Sequence, residues 1–205
     1  ILALLIGYPL AYAIAFKGGK YRNLLLVMVI APFFVSFILR TIAWRQILAD
    51  EGPVVAVLRV LGLVGETGGI YPSAFAVIMG LTYNFLPFMT LPIYASLERV
   101  DHRLIEASGD LYAKPMTGFF KVTFPLSLPG VVAGTLLTFI PAAGDYVNAA
   151  LLGRPSNTMI GNRIEYTFLS VNDYPTAAVL SFILMATILV MVLVYIRKVG
   201  TEDLV

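Results

Sequence analysis

Residues 176–196, 21 in all, carry no charge, and Arg197 and Lys198 close the run. At about 1.5 Å per residue, a helix of that length reaches about 30 Å, the hydrocarbon thickness of a bilayer. In hydrocarbon every backbone amide and carbonyl must be satisfied inside the segment, so an isolated apolar run there is a helix. Four further apolar runs precede it, at residues 1–16, 24–39, 74–97 and 126–152. The chain is therefore expected to be all-α, a polytopic transmembrane helical bundle with five spans. Residues 24–39 reach only about 24 Å, so that span is expected to continue through Arg40 to Trp44, with Trp44 and Arg45 at the interface.

Composition agrees with lipid as the solvent. Only 13% of the 205 residues are charged and 59% are hydrophobic, whereas soluble domains carry about a quarter charged. The net charge of +2 argues against a nucleic-acid partner. Cysteine is absent and there is one histidine, which removes disulfides, thiolate metal sites and histidine clusters; no metal and no cofactor is expected. Nor is an enzyme: no nucleophile has a plausible base, and His102, among Asp101, Arg103 and Glu106, reads as a solvated surface group. Ile1 already lies inside an apolar run, which reads as a chain lacking its first span rather than as a signal peptide.

Between the spans lie four connections, a short basic one at residues 17–22 and three longer ones. Residues 50–72 are polar and glycine-rich around an apolar segment at 54–64, expected to be an amphipathic helix on the outer surface. Residues 153–173 form a second polar connection. Within 74–97, Pro87 and Pro92 free backbone carbonyls that need other partners, so this span is expected to face protein or a cavity, as Tyr83, Asn84 and Thr90 also suggest. The third connection, residues 101–130, reads DHRLIEASGDLYAKPMTGFFKVTFPLSLPG. Leu104, Ala107 and Leu111 mark one face of a short helix capped by Asp101 and stopped by Pro115. A second short amphipathic piece is expected at 116–122, with Phe119 and Phe120. With this loop inside, nine of the 14 Lys and Arg are cytoplasmic and five lie outside, a positive-inside bias concentrated at span ends.

Two acidic positions stand out. By spacing alone, Glu106 is either a docking charge on the short helix or a solvated one. Asp145 sits at the outer end of the fourth run, where a lipid-facing carboxylate would be costly. It either faces a translocation path or caps a continuing helix after Pro141 and Gly144, or pairs with Arg154 or Arg163. Glu165 and Asp173 read as surface groups of the outer connection, either meeting a binding protein or ordinary solvated charges.

Glu106-Ala107-Ser108, with Val122-Thr123-Phe124-Pro125 and Pro129-Gly130 downstream, resembles the EAA loop of bacterial ABC-importer permeases, the binding-protein-dependent inner-membrane components with a MetI-like fold. The stretches at 86–89, 136–146 and 160–175 are most similar to the spermidine/putrescine members. The resemblance covers nearly the whole chain and implies a single transmembrane domain over 1–205, five spans of a six-span type I permease. It implies a multi-pass protein of the bacterial inner membrane, working with separate ABC ATPase subunits, a second identical or homologous permease and an extracytoplasmic substrate-binding protein. In that family the loop, here 101–125, couples the permease to the ATPase, which assigns docking to Glu106, Ala107, Ser108, Leu104, Leu111, Phe119 and Phe120. A polyamine cargo would suit a path lined by Asp145, Tyr146, Asn148, Tyr83 and Asn84 through ion pairing and cation–π contact. Other cargoes (ferric iron, thiamine, a phosphonate) share the same coupling loop, and a secondary transporter working without an ATPase is the alternative outside the class. Two positions depart from the pattern: Ser108 replaces the second alanine, and Tyr112 stands where the loop glycine is usual.

Overall fold

The computed structural model describes residues 1–63, 65 and 69–199. Among them all regular structure is helical. In chain order the helices are α1 (Leu2–Tyr12), α2 (Arg22–Ile30), α3 (Phe37–Leu48), α4 (Pro53–Val60), α5 (Ala74–Glu98), α6 (His102–Asp110), α7 (Pro115–Gly118), α8 (Phe124–Gly144), α9 (Val147–Leu152), α10 (Ile160–Glu165) and α11 (Tyr174–Val199). Wide π-turns extend α1 (Ala13–Lys17), α7 (Phe119–Thr123) and α10 (Tyr166–Ser170).

Three helices are each long and apolar enough to cross a membrane: Ala74–Glu98, Pro115–Gly144 and Tyr174–Arg197. The segments Leu2–Lys17 and Gly19–Phe34 meet at 117° and together make a fourth candidate. The turn between them forms at Gly19, whose φ of +44° suits a residue without Cβ. Two of the expected spans are thus divided. The run at 24–39 does not continue to Trp44 as one helix: Pro32, lacking an amide, lies in a 3-10 turn (Ala31–Phe34), and Ser36 is extended at ψ 136° before α3 begins. The run at 126–152 breaks after Gly144, and α9 is a separate short helix. The amphipathic helix expected within 54–64 is α4, ended by Gly62 at φ +70°. Its C-terminal bonds, Leu63 N to Leu58 O and Gly62 N to Arg59 O, are those of a Schellman cap. Val64 lies outside the described residues.

The chain forms two compact units. The first comprises residues 1–31, 85–139 and 194–199. Its core joins Ala3, Tyr8, Ala11 and Ile14 to Met89, Ile93, Tyr94 and Leu97 of α5 and Val131 of α8. Gly130 and Gly134, one helical turn apart on α8, let its backbone lie on that of α5. A Cβ at Gly130 would stand 2.5 Å from the Pro92 carbonyl oxygen, and one at Gly134 2.9 Å from that of Met89. In lipid, where apolar tails match apolar side chains, such small-residue contacts and buried hydrogen bonds hold helices together. The buried Tyr8–Ser127 hydroxyl pair, at 2.7 Å, is one of these bonds. The α5 prolines accordingly sit at a protein-covered stretch. Arg22 is ion-paired with Glu98 and donates to Tyr94 Oη, which brings the basic end of the first hairpin beside the start of the 101–130 loop.

The second unit comprises residues 32–84 and 140–193. Leu48, Ala76, Val77, Ala149 and Leu152 form its core, with Trp44 and Tyr71 packed against it. Gly80 on α5 admits α9, since a Cβ there would lie 2.4 Å from Leu152 Cδ1 and 2.8 Å from Asn148 Oδ1.

α11 starts on a capped turn. Asn172 takes the left-handed conformation at φ +56°, and Asp173 Oδ1 accepts the Thr176 amide at 3.1 Å. Hydrogen bonds from the Thr176 side chain and amide hold the Asp173 carboxyl below its ordinary range. A carboxyl with a depressed folded-state pKa contributes stability that is complete above its unfolded pKa and lost as pH falls through the folded value. Asp173→Asn keeps a capping acceptor without a charge. Thermal melts across acidic pH are therefore expected to show the wild type losing stability relative to Asp173→Asn below the ordinary aspartate range. Parallel curves would remove the capping carboxylate from the account.

Candidate functional site

The loop is built from α6, a tight reversal and α7. Asp101 caps α6 as expected, its Oδ1 accepting the Arg103 amide at 2.9 Å. The helix ends earlier than Pro115. Ala113 N donates to Ser108 O at 3.1 Å and Tyr112 N to Gly109 O at 2.9 Å, a Schellman motif whose left-handed position is Tyr112, at φ +57°. A tyrosine therefore adopts the backbone that glycine adopts freely, with its ring 97% exposed. Pro115 opens α7 instead of closing α6, since the first turn of a helix needs no proline amide. The expected second amphipathic piece is not separate. α7 runs through the π-turn into α8, making one 30-residue helix from Pro115 to Gly144. Phe124 N bonds Phe119 O, a five-residue reach that passes the chain into Pro125 without a break.

The left-handed backbone costs a residue with a Cβ about 1–2 kcal/mol. Tyr112→Gly is expected to raise stability by about 1 kcal/mol with no change in the helices, read as a higher melting temperature and an unchanged circular dichroism spectrum. A lower melting temperature would mean the tyrosine ring makes contacts that outweigh the backbone cost.

Of the loop residues singled out in the sequence, five point outward. Leu104 is 48% exposed, Leu111 81% and Phe120 58%, and Glu106 and Ala107 are exposed beside them. Two turn inward. Ser108 Oγ donates to Ile105 O at 2.7 Å and stands 2.8 Å from where a Cβ on Gly118 would be, so it fits α6 against α7. Phe119 packs into the first core, its ring 5.6 Å from Tyr8 and 6.0 Å from Tyr12. His102 lies edge-on to Phe16 at 5.3 Å. The exposed face of α6 is thus fastened through Phe119 and His102 to the first helix.

The second unit holds a buried polar chain. Asn84 Nδ2 donates to Thr41 Oγ1 at 3.2 Å and to Asn148 Oδ1 at 3.1 Å. Asn148 donates from its backbone N and from Nδ2 to the two oxygens of Asp145, each at 2.8 Å. Asp145 therefore caps α9 across the break, the alternative that α8's Pro141 and Gly144 suggested. Arg154 is engaged elsewhere, its Nε donating to the Pro72 carbonyl at 2.8 Å. Of the expected path residues, Asp145, Asn148 and Asn84 are joined in this network. Tyr146 and Tyr83 are outside it: Tyr146 is 46% exposed, and Tyr83 meets Trp44 edge-on at 5.4 Å. Thr41 and Arg40 were not singled out in the sequence as members of a buried site. Arg40 is 9% exposed, stacks over Phe33 and Phe37 at 5.1 and 5.8 Å, and has no hydrogen-bond partner for Nε or Nη1 among the described residues. The signal was available: it is an arginine preceded by three apolar residues and followed by Thr-Ile-Ala-Trp.

Residues 3–198 match the family described as the binding-protein-dependent transport system inner membrane component. The spermidine/putrescine transport system permease protein PotB of Haemophilus influenzae is 38% identical over 197 residues, 96% of this chain and 69% of that protein. Its namesake in Escherichia coli is 37% identical, covering 96% of this chain and 72% of the relative. Among solved structures, an inward-facing MetNI methionine ABC transporter aligns at TM-score 0.66 and 22% identity over 97% of this chain and 88% of that one. A bacterial alginate ABC transporter, in complex with an alginate-bound periplasmic protein, aligns at TM-score 0.68 and 20% identity over 98% of this chain and 75% of that one. At these identities the structures establish the fold alone.

Proposed function

Because the chain belongs to the family of binding-protein-dependent transport system inner membrane components, we propose that it carries polyamines, spermidine and putrescine, across the inner membrane. The observation that carries the choice of cargo is the 37–38% identity to spermidine/putrescine permeases over 96% of the chain.

In this reading ATP is hydrolysed by separate ATPase subunits, and the outward face of α6 meets them. Glu106 supplies a charge for a basic group on the ATPase. Leu104, Ala107, Leu111 and Phe120 supply the apolar contacts of a helix lying in a groove. Ser108 and Phe119 act from behind, Ser108 by fitting α6 to α7 and Phe119 by carrying motion of the loop to Tyr8 and Tyr12. A second permease completes the path, and a substrate-binding protein delivers the cargo to the outer connections. In the second unit, Asp145, Asn148 and Asn84 offer a cation a carboxylate and amide oxygens, with Tyr146 and Tyr83 as ring faces. In the described state both Asp145 oxygens are held by Asn148, so a passing ammonium competes for them with two hydrogen bonds.

The test uses the full-length protein reconstituted in liposomes with its ATPase, its partner permease and its binding protein. Spermidine-loaded binding protein is expected to stimulate ATP hydrolysis and drive uptake of labelled spermidine. No uptake of either polyamine, with uptake of thiamine, ferric iron or a phosphonate instead, would overturn the cargo.

A further inference from the structure

Beside the break after α8, a cavity of about 290 Å³ opens in the second unit. Its walls include Tyr146, Glu165, Phe168, Leu169 and Leu184. Gly144 and Gly161 form part of its wall. A Cβ on Gly161 would stand 2.6 Å from the Gly144 carbonyl oxygen, so α10 lies directly on the break, whereas a Cβ on Gly144 would meet nothing within 4 Å. Asn162 Nδ2 donates to the Tyr146 carbonyl at 2.8 Å, tying α10 to the residue that carries the ring. Glu165 is the last residue of α10, and the π-turn Tyr166–Ser170 follows at once, an irregularity frequent at functional sites. Phe168 is braced edge-on by Tyr174 at 5.1 Å.

The chemistry of this cavity is specific. Glu165 is its one charged wall and forms no salt bridge among the described residues. The other walls are aromatic rings, aliphatic side chains and glycines. A carboxylate in such surroundings selects a cation, and the apolar walls select one whose charge is carried on an alkyl chain rather than a hydrated metal ion. A primary ammonium on a methylene chain satisfies both demands: the nitrogen pairs with Glu165, the ring faces of Tyr146 and Phe168 add cation–π attraction, and the methylenes lie on Leu169 and Leu184. The volume sits near the lower end of small-ligand sites, about 300 Å³, which suits a thin linear amine.

We propose that Glu165, with Tyr146 and Phe168, forms an ammonium-binding station for the transported polyamine, in the connection that the charge distribution places outside the membrane. This rests on the polyamine reading and adds to it a carboxylate that stands apart from the Asp145 network. In that network the carboxylate is already taken up by Asn148; at Glu165 it is open to a ligand.

The experiment measures concentration-dependent uptake of labelled spermidine by the reconstituted transporter for wild type, Glu165→Gln, Glu165→Asp and Tyr146→Leu, each checked for copurification with the ATPase. Loss of a charge-assisted contact is expected to raise KM about tenfold or more in Glu165→Gln, with a smaller change in kcat. Glu165→Asp is expected to restore most of the affinity, which a packing role would not predict, and Tyr146→Leu to raise KM several-fold. If wild type carries spermidine and Glu165→Gln keeps the wild-type KM, the station is refuted while the cargo stands. If Glu165→Gln does not assemble, an unchanged KM in Tyr146→Leu refutes it. Should wild type carry neither polyamine, the cargo reading falls and the station with it.

Discussion

Glu106→Arg is expected to abolish ATP hydrolysis stimulated by the loaded binding protein and to weaken copurification with the ATPase by about a hundredfold or more. Placing like charges across an interface costs several kcal/mol, and every 1.4 kcal/mol is a factor of ten. The fold gives no reason for a wider effect. Glu106 is exposed on α6, and Asp101, not Glu106, caps that helix, so the variant should keep its helix content and melting temperature. Stimulated hydrolysis at the wild-type level would remove Glu106 from the interface and return it to an ordinary solvated charge. Loss of assembly in Leu111→Ser as well would locate the interface on the whole outward face rather than on one ion pair.

Gly130→Val has the largest expected effect on the fold. The site has no room: a Cβ would stand 2.5 Å from the Pro92 carbonyl oxygen and 2.7 Å from Ser96 Cβ. Backbone cannot move aside as a flexible side-chain tip can, so α8 must leave α5. Overpacking of a core costs about 1–3 kcal/mol, and more where backbone must shift, so about 3 kcal/mol or more is expected here. Displacing α8 would also strain the Tyr8–Ser127 bond of the same unit. Expression and monodispersity in detergent, with the melting temperature of whatever folds, are the readouts. Gly109→Ala is the control, because a Cβ there meets nothing within 4 Å and the replacement gains helix propensity. A Gly130→Val protein as stable as wild type would show that α8 and α5 are not in backbone contact.

The loop was legible in the sequence because its signals are local. A cap bonds two residues away, and Leu104, Ala107 and Leu111 share one helix face by their spacing alone. The glycine position of the turn was legible for the same reason. What it became was not: Tyr112 adopts the left-handed backbone despite its Cβ, because the two Schellman bonds and the Pro115 start of α7 constrain it from both sides. Phe119 and Ser108 were read with the docking face, since amphipathic spacing does not say which side of a short helix meets the rest of the chain. Tyr8, more than a hundred positions upstream, decides that for Phe119.

By itself the sequence determined the solvent, the helical class and the cap of the loop helix, because apolar length, charge content and capping act over one segment at a time. It also carried the family, through motifs that keep their spacing along the chain. Only the tertiary structure decided which apolar runs stay whole. Pro32 divides one run, where a 3-10 turn and an extended Ser36 follow. Pro125 and Pro129 leave the helix from Pro115 to Gly144 continuous, because a π-turn widens it ahead of them, while the end of that run separates as α9. It also decided what the polar residues of the apolar runs do, since their partners come from other helices. Asn84 meets Thr41 and Asn148; Asp145 is turned to Asn148 and away from Arg154. Glu165, a surface charge by its sequence surroundings, acquires a cavity only because Gly161 lets α10 lie on the broken end of α8.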